Sequence, residues 1–196
     1  MDKPIVMKRF FEKYLQLLSR PAGISLLIVL QILFMAAFHG FFPFSVEKIE
    51  QVSGGFGIPD AHIYYTFSQL QEMFRHYGAV GRHMYLQLQW IDLFYPLVYA
   101  SLLSVLLYRV YRRTRLYALV FLPFVAVIFD YTENILLRIS ILSFPHLSPV
   151  VVSVSGVVTY IKWLVLFFAF FLLVFGAVWR LIYYLRTRKT GENRKR

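Results

Sequence analysis

Hydrophobic positions in this chain fall into four long, continuous runs, at about 24–42, 85–107, 116–137 and 157–184. A helix needs roughly 20 apolar residues to cross the hydrocarbon core of a bilayer, and each run supplies that length. None of the runs alternates with period two, so they predict helices rather than barrel strands. The pattern thus predicts an all-α fold built as a four-transmembrane-helix bundle.

Three weaker patterns flank the runs. In the stretch 4–19, Met7, Phe10, Phe11, Tyr14, Leu17 and Leu18 recur at helical spacing, with Lys8, Arg9 and Lys13 between them. This suits an N-terminal interfacial helix lying on an anionic leaflet; a plain extension of the first span is the other reading. The segment 44–81 is the one substantial loop between spans. Its Ser53-Gly54-Gly55-Phe56-Gly57 run predicts a turn and lacks the Lys-Ser/Thr of a phosphate-binding loop. Asp60 is the expected N-cap of a loop helix running to Tyr77 and stopped by Gly78. Ile63, Phe67, Leu70 and Phe74 mark its apolar stripe. Such a helix either rests on the end of the bundle or covers a site. Residues 186–196 read as a basic, disordered tail. The expected organisation is therefore an amphipathic segment 1–20, a membrane domain 21–185 and the tail.

Composition narrows the class. The 196 residues are 59% hydrophobic and 16% charged, and mean hydropathy is +0.59. A soluble domain carries about 25% charged residues, so a soluble enzyme domain, a disordered chain and a coiled coil are excluded. With no cysteine, disulfides, thiolate metal sites and a cysteine nucleophile are excluded too.

The net charge is +11, and its placement matters more than its size. If the N-terminus is cytoplasmic, sixteen of the 21 Lys and Arg residues fall on that side; Lys48, Arg75, Arg82, Arg138 and Lys162 do not. The positive-inside rule then predicts a multi-pass protein with both termini cytoplasmic. Because the basic residues sit at the ends of apolar runs, the expected partners are membrane lipids with anionic headgroups, not nucleic acid. The basic lead and Ala36-Ala37 also fit a signal peptide. The lead is long for one, however, and the apolar run continues past the small residues, so a retained span is expected.

Ionisable groups within spans cost about 2.5–3.5 kcal/mol each on insertion scales. On span two, Tyr85, Gln89, Asp92, Pro96 and Tyr99 recur at steps of four and three and share a face; Tyr95 lies beside them. Asp92 is ten residues past Arg82, roughly 15 Å in depth at about 1.5 Å per residue. Asp130 precedes Arg138 by eight residues on span three, with Glu133 and Asn134 a turn further out. Lys162 lies in the first turns of span four, and His39 lies near the outer end of span one. All four spans thus place unusual residues in the outer third of the bilayer. The candidate pocket is Asp92, Tyr95, Tyr99, Asp130, Glu133, Asn134, Lys162, Arg82, Gln89 and His39. Equally, Asp92, Asp130 and Glu133 with Arg82, Arg138 and Lys162 could form a balanced ion network that only holds helices together.

The expected function is a polar pocket, open to the outer leaflet, that binds a small amphipathic or lipidic ligand. In one version it also modifies that ligand, with Asp92 as base and Glu133 as acid; whether the protein is an enzyme stays open. A structural or assembly subunit with a protein partner in the membrane is one alternative, and a proton-coupled transporter is another. Pro96 and Pro123 are expected to kink spans two and three. No metal or other cofactor is expected. His39, His62, His76, His83 and His146 are scattered, and no compact ligand motif is present. There is likewise no Gly-x-Ser-x-Gly elbow.

The run Gly81-Arg82-x-x-Tyr85, Asp92-x-x-Tyr95-Pro96-x-x-Tyr99 and Asp130-x-x-Glu133-Asn134 resembles a pattern in an uncharacterised family of small four-span membrane proteins. It covers about 55 residues of spans two and three, and implies no activity. The architecture is also similar to four-span sterol-isomerase and sigma-2-receptor-like proteins, which bind sterols between acidic residues. Span one departs from that plan, because it carries no acid.

Overall fold

Each apolar run becomes helical in the computed structural model, which describes residues 3–193, with side chains described over 9–187. The helices are α1 (Lys3–Leu18), α2 (Pro21–Ala36), α3 (Val46–Ser53), α4 (Phe67–Asp92), α5 (Tyr95–Tyr111), α6 (Leu122–Leu142) and α7 (Pro149–Asn193). A wide turn at Ala37–Phe41 follows α2, and tight helical turns occupy Pro59–Ala61 and Arg115–Phe121. No strand occurs among the described residues. Four segments are long and apolar enough to cross a membrane: Pro21–Ser53, Phe67–Tyr111, Arg115–Leu142 and Pro149–Thr187. The chain is a multi-pass membrane protein in architecture. Ile128, Ile135, Phe170 and Phe171 are exposed, as lipid-facing side chains would be.

α1 is a separate helix and not an extension of the first span. Arg20 is extended and Pro21 opens α2, which suits proline because its missing N–H is not needed there. α1 packs onto the bundle: Leu15 is fully buried, Tyr14 shares a 2.6 Å hydrogen bond with Ser101, and Phe11 meets Phe121 and Phe124 edge-on. Met7 of the proposed stripe, and Lys8 between its positions, lie outside the described side chains. At the other terminus, α7 continues to Asn193 where a disordered tail was expected. Leu185 and Arg186 have good helix propensity, and the helix carries on past them; residues 194–196 lie outside the description.

The loop between the first two spans departs from expectation. Asp60 caps no helix; it lies in the tight turn Pro59–Ala61. α4 starts later, at Phe67. The Thr66 hydroxyl accepts from Gln69 N–H while the Gln69 side chain accepts from Thr66 N–H. This reciprocal capping box satisfies two helix-end donors. Gly78, at φ 59°, interrupts α4 without ending it; a side chain there would be strained. Helix α3 was not foreseen.

Two apolar cores lie along the bundle. Near the loop, Ile49, Leu70, Phe74, Tyr77 and Leu137 are buried together. Near the termini, Leu15, Val105, Leu107, Val120 and Ala169 are buried together. α6 and α7 make the most extensive helix pair, and α5 packs on α2, α6 and α7. Span two is broken at Leu93–Phe94, with Pro96 in the first turn of α5; the freed Leu93 carbonyl accepts from Tyr131 Oη at 2.8 Å. Pro123 opens α6 rather than kinking its middle.

Candidate functional site

Between the two cores, along α6 and α7, lies a buried polar layer. Ser155, Thr159 and Lys162 follow one another at steps of four and three, so they share a face of α7; Asp130 and Glu133 answer them from α6. Lys162 Nζ is 2.5 Å from Glu133 Oε2 and 3.2 Å from Asp130 Oδ1. Thr159 donates to Glu133 Oε1 at 2.5 Å, and Tyr99 of α5 donates to Asp130 Oδ2. Glu133 is fully buried with both oxygens engaged. Desolvating three charges is costly and is offset only by close pairing with further hydrogen bonds, which this arrangement supplies.

The loop closes over the same layer. Tyr65 Oη shares a 2.6 Å hydrogen bond with Ser155 Oγ, and Trp163 Nε1 donates to His62 O at 2.9 Å. Gly156 permits the approach: a Cβ there would lie 2.5 Å from Tyr65 O. Burial, then the negative charge of Glu133, pushes the Tyr65 phenol well above its ordinary pKa. The Asp60 carboxyl accepts from Tyr85 Oη at 2.6 Å. Burial raises the Asp60 pKa, partly opposed by the positive Lys162.

A cavity of about 390 Å³ opens beside this layer. Its polar lining includes His39, Asp60, Asp92, Tyr95, Tyr99, Asp130 and Lys162, and its apolar lining includes Met35, Phe38, Val46, Ile58, Trp163 and Leu166. Gln89 and Asn134 lie next door, in a recess of about 20 Å³ that also touches Asp60 and Asp92. Asn134 donates to Asp92 Oδ2 at 2.6 Å and Gln89 donates to Asn134 O at 3.2 Å.

The structure therefore gathers Asp92, Tyr95, Tyr99, Asp130, Lys162 and His39 around one cavity, with Gln89 and Asn134 beside it and Glu133 behind it. Arg82 lies elsewhere, donating to Phe74 O at 2.9 Å with its guanidinium 4.4 Å over the Phe144 ring. Arg138 stacks on Trp90. In place of a balanced network of three acids and three bases, the described residues put Asp60, Asp92, Asp130 and Glu133 around Lys162. Asp60 was misread as a cap. Tyr65, Ser155 and Thr159 were missed, although the four-and-three spacing of Ser155, Thr159 and Lys162 was a legible signal. No three His, Cys, Asp or Glu side chains gather as a metal-binding set among the described residues.

Comparison with family models, with curated proteins and with solved structures finds no match to this chain.

Proposed function

We propose that the cavity binds a small amphipathic or lipidic molecule. One observation carries this reading: a cavity of about 390 Å³ with acids, tyrosines and Lys162 along part of its wall and Met35, Phe38, Val46, Trp163 and Leu166 along the rest. Small-molecule sites commonly have roughly this size, with a mainly apolar lining and a few placed polar groups. α2 packs chiefly on α5 and makes no extensive contact with α7, so the cavity lies in a gap through which a molecule dissolved in lipid has a path. In this reading the loop end of the bundle faces away from the cytoplasm, both termini are cytoplasmic by their excess of Lys and Arg, and α1 lies along the anionic leaflet.

The test is native mass spectrometry of the protein extracted gently from its membrane. The expected result is a bound small molecule that Leu166→Trp, which fills the cavity, displaces. A wild-type protein that carries nothing beyond the bulk lipids bound equally by the variant would overturn the proposal.

The closed group of Asp130, Glu133 and Lys162 favours a second role within the same site. It fastens α6 to α7, so an ion network that organises the bundle coexists with the ligand cavity.

A further inference from the structure

Beside the cavity, the recess of about 20 Å³ is lined by Asp60, Tyr85, Gln89, Asp92 and Asn134, with Phe38, Ile58 and Leu88. Each of its donor atoms already has a partner. Tyr85 gives its hydroxyl proton to Asp60 Oδ2, Asn134 gives an amide proton to Asp92 Oδ2, and Gln89 gives one to Asn134 O. These bonds also set which way the two amides point. What remains is a set of acceptors: Asp60 Oδ1, Gln89 Oε1 and Asn134 Oδ1 are each buried with no hydrogen-bond partner. Gln89 is only 8% exposed. Leaving a buried acceptor unsatisfied is costly, and three in one recess is more than a native interior ordinarily leaves.

We propose that Asp60, Gln89, Asp92 and Asn134 form a binding site for a small, hard monovalent cation, with sodium as the fitting ion. Oxygen-only donors select hard cations over transition metals. A water has two protons and leaves one of the three acceptors unmet. Calcium takes six to eight oxygens, and magnesium keeps several waters; a recess of about 20 Å³ has room for one small particle, roughly one water. Two carboxylates supply the countercharge. The recess shares Phe38, Ile58, Asp60 and Asp92 with the larger cavity, so a cation here would also set the charge of that cavity. The cation site stands independently of whether the cavity takes a ligand.

The probe is the ion itself. Purified full-length protein is titrated with sodium chloride against choline chloride at constant ionic strength, following thermal unfolding and the fluorescence of the tryptophans, which include Trp90 beside Gln89 and Asn134. Sodium should raise Tm saturably while choline does not, because a ligand that binds only the folded state stabilises it. Gln89→Met and Asp60→Asn should each weaken the sodium midpoint by about 10-fold or more, the order seen when a metal site loses a supporting group. The fluorescence titration, made on folded protein at low temperature, reads the site even if a variant's Tm is lowered. Equal effects of sodium and choline, a response to calcium alone, or a sodium midpoint unchanged in both variants would overturn the proposal. None of these outcomes bears on whether a small molecule co-purifies with the protein.

Discussion

The hydroxyl of Tyr85 lies 2.6 Å from Asp60 Oδ2, joining a loop acid to a buried tyrosine 25 residues later in the second span. This bond brings Asp60 into the wall of both the cavity and the recess. Tyr85→Phe leaves a buried carboxylate oxygen without its donor and should cost about 1–3 kcal/mol. Reversible unfolding of wild type and variant in the same micelles checks it.

Among the described residues, Lys162 is the one lysine or arginine lining the cavity shared by Asp60, Asp92 and Asp130, and it pairs with Glu133 behind it. Lys162→Met strands Asp130 and Glu133, both buried, and removing one partner of a buried pair typically costs about 3–5 kcal/mol. Adding Glu133→Gln to Lys162→Met should restore part of the loss. A double-mutant cycle on unfolding free energy measures the coupling, and additive losses would show that the pair is not coupled.

Asp60 should make stability depend on pH. Its folded-state pKa is raised above 3.8, so between the unfolded and folded values the folded chain holds more protons. Stability therefore falls as pH rises above about 4 and levels off once the raised folded value is passed. Asp60→Asn should flatten that part of the profile in sodium-free buffer. Unfolding midpoints measured across the interval for both proteins provide the comparison.

Thr66 caps α4 from the exposed side of the loop, where the change disturbs no core. Thr66→Ala removes the acceptor for Gln69 N–H and should lower stability by about 0.5–2 kcal/mol. Amide exchange should quicken in the first turn of α4 and leave α6 unaffected.

The apolar helices and the gathering of their polar residues were legible because both follow from rules that act along a single helix. Twenty apolar residues must span, and a charge within them must find a partner. Asp92, Tyr95, Tyr99, Asp130 and Lys162 were located that way. Asp60 was not, since an aspartate before a polar stretch has the same local signature whether it caps a helix or folds back onto a tyrosine 25 residues on. Helix α3 is short, and its signals, Ser45 as N-cap with Val46 and Ile49 on one side, were hidden between phenylalanine- and glycine-rich flanks. Arg82 and Arg138 were assigned to the acids by depth alone. Depth does not fix azimuth, and Phe74, Phe144 and Trp90 hold them on other faces.

α6 and α7 are consecutive, with only residues 143–148 between them, and the lysine and the two acids that pair across them lie on facing sides. Each helix entering the bilayer alone would carry uncompensated charge at about 2.5–3.5 kcal/mol per group. Entering as one hairpin, the two helices bring their charges already cancelled. The short connection therefore makes these last two spans a natural unit of insertion during biogenesis, ready-made before the rest of the protein gathers around it.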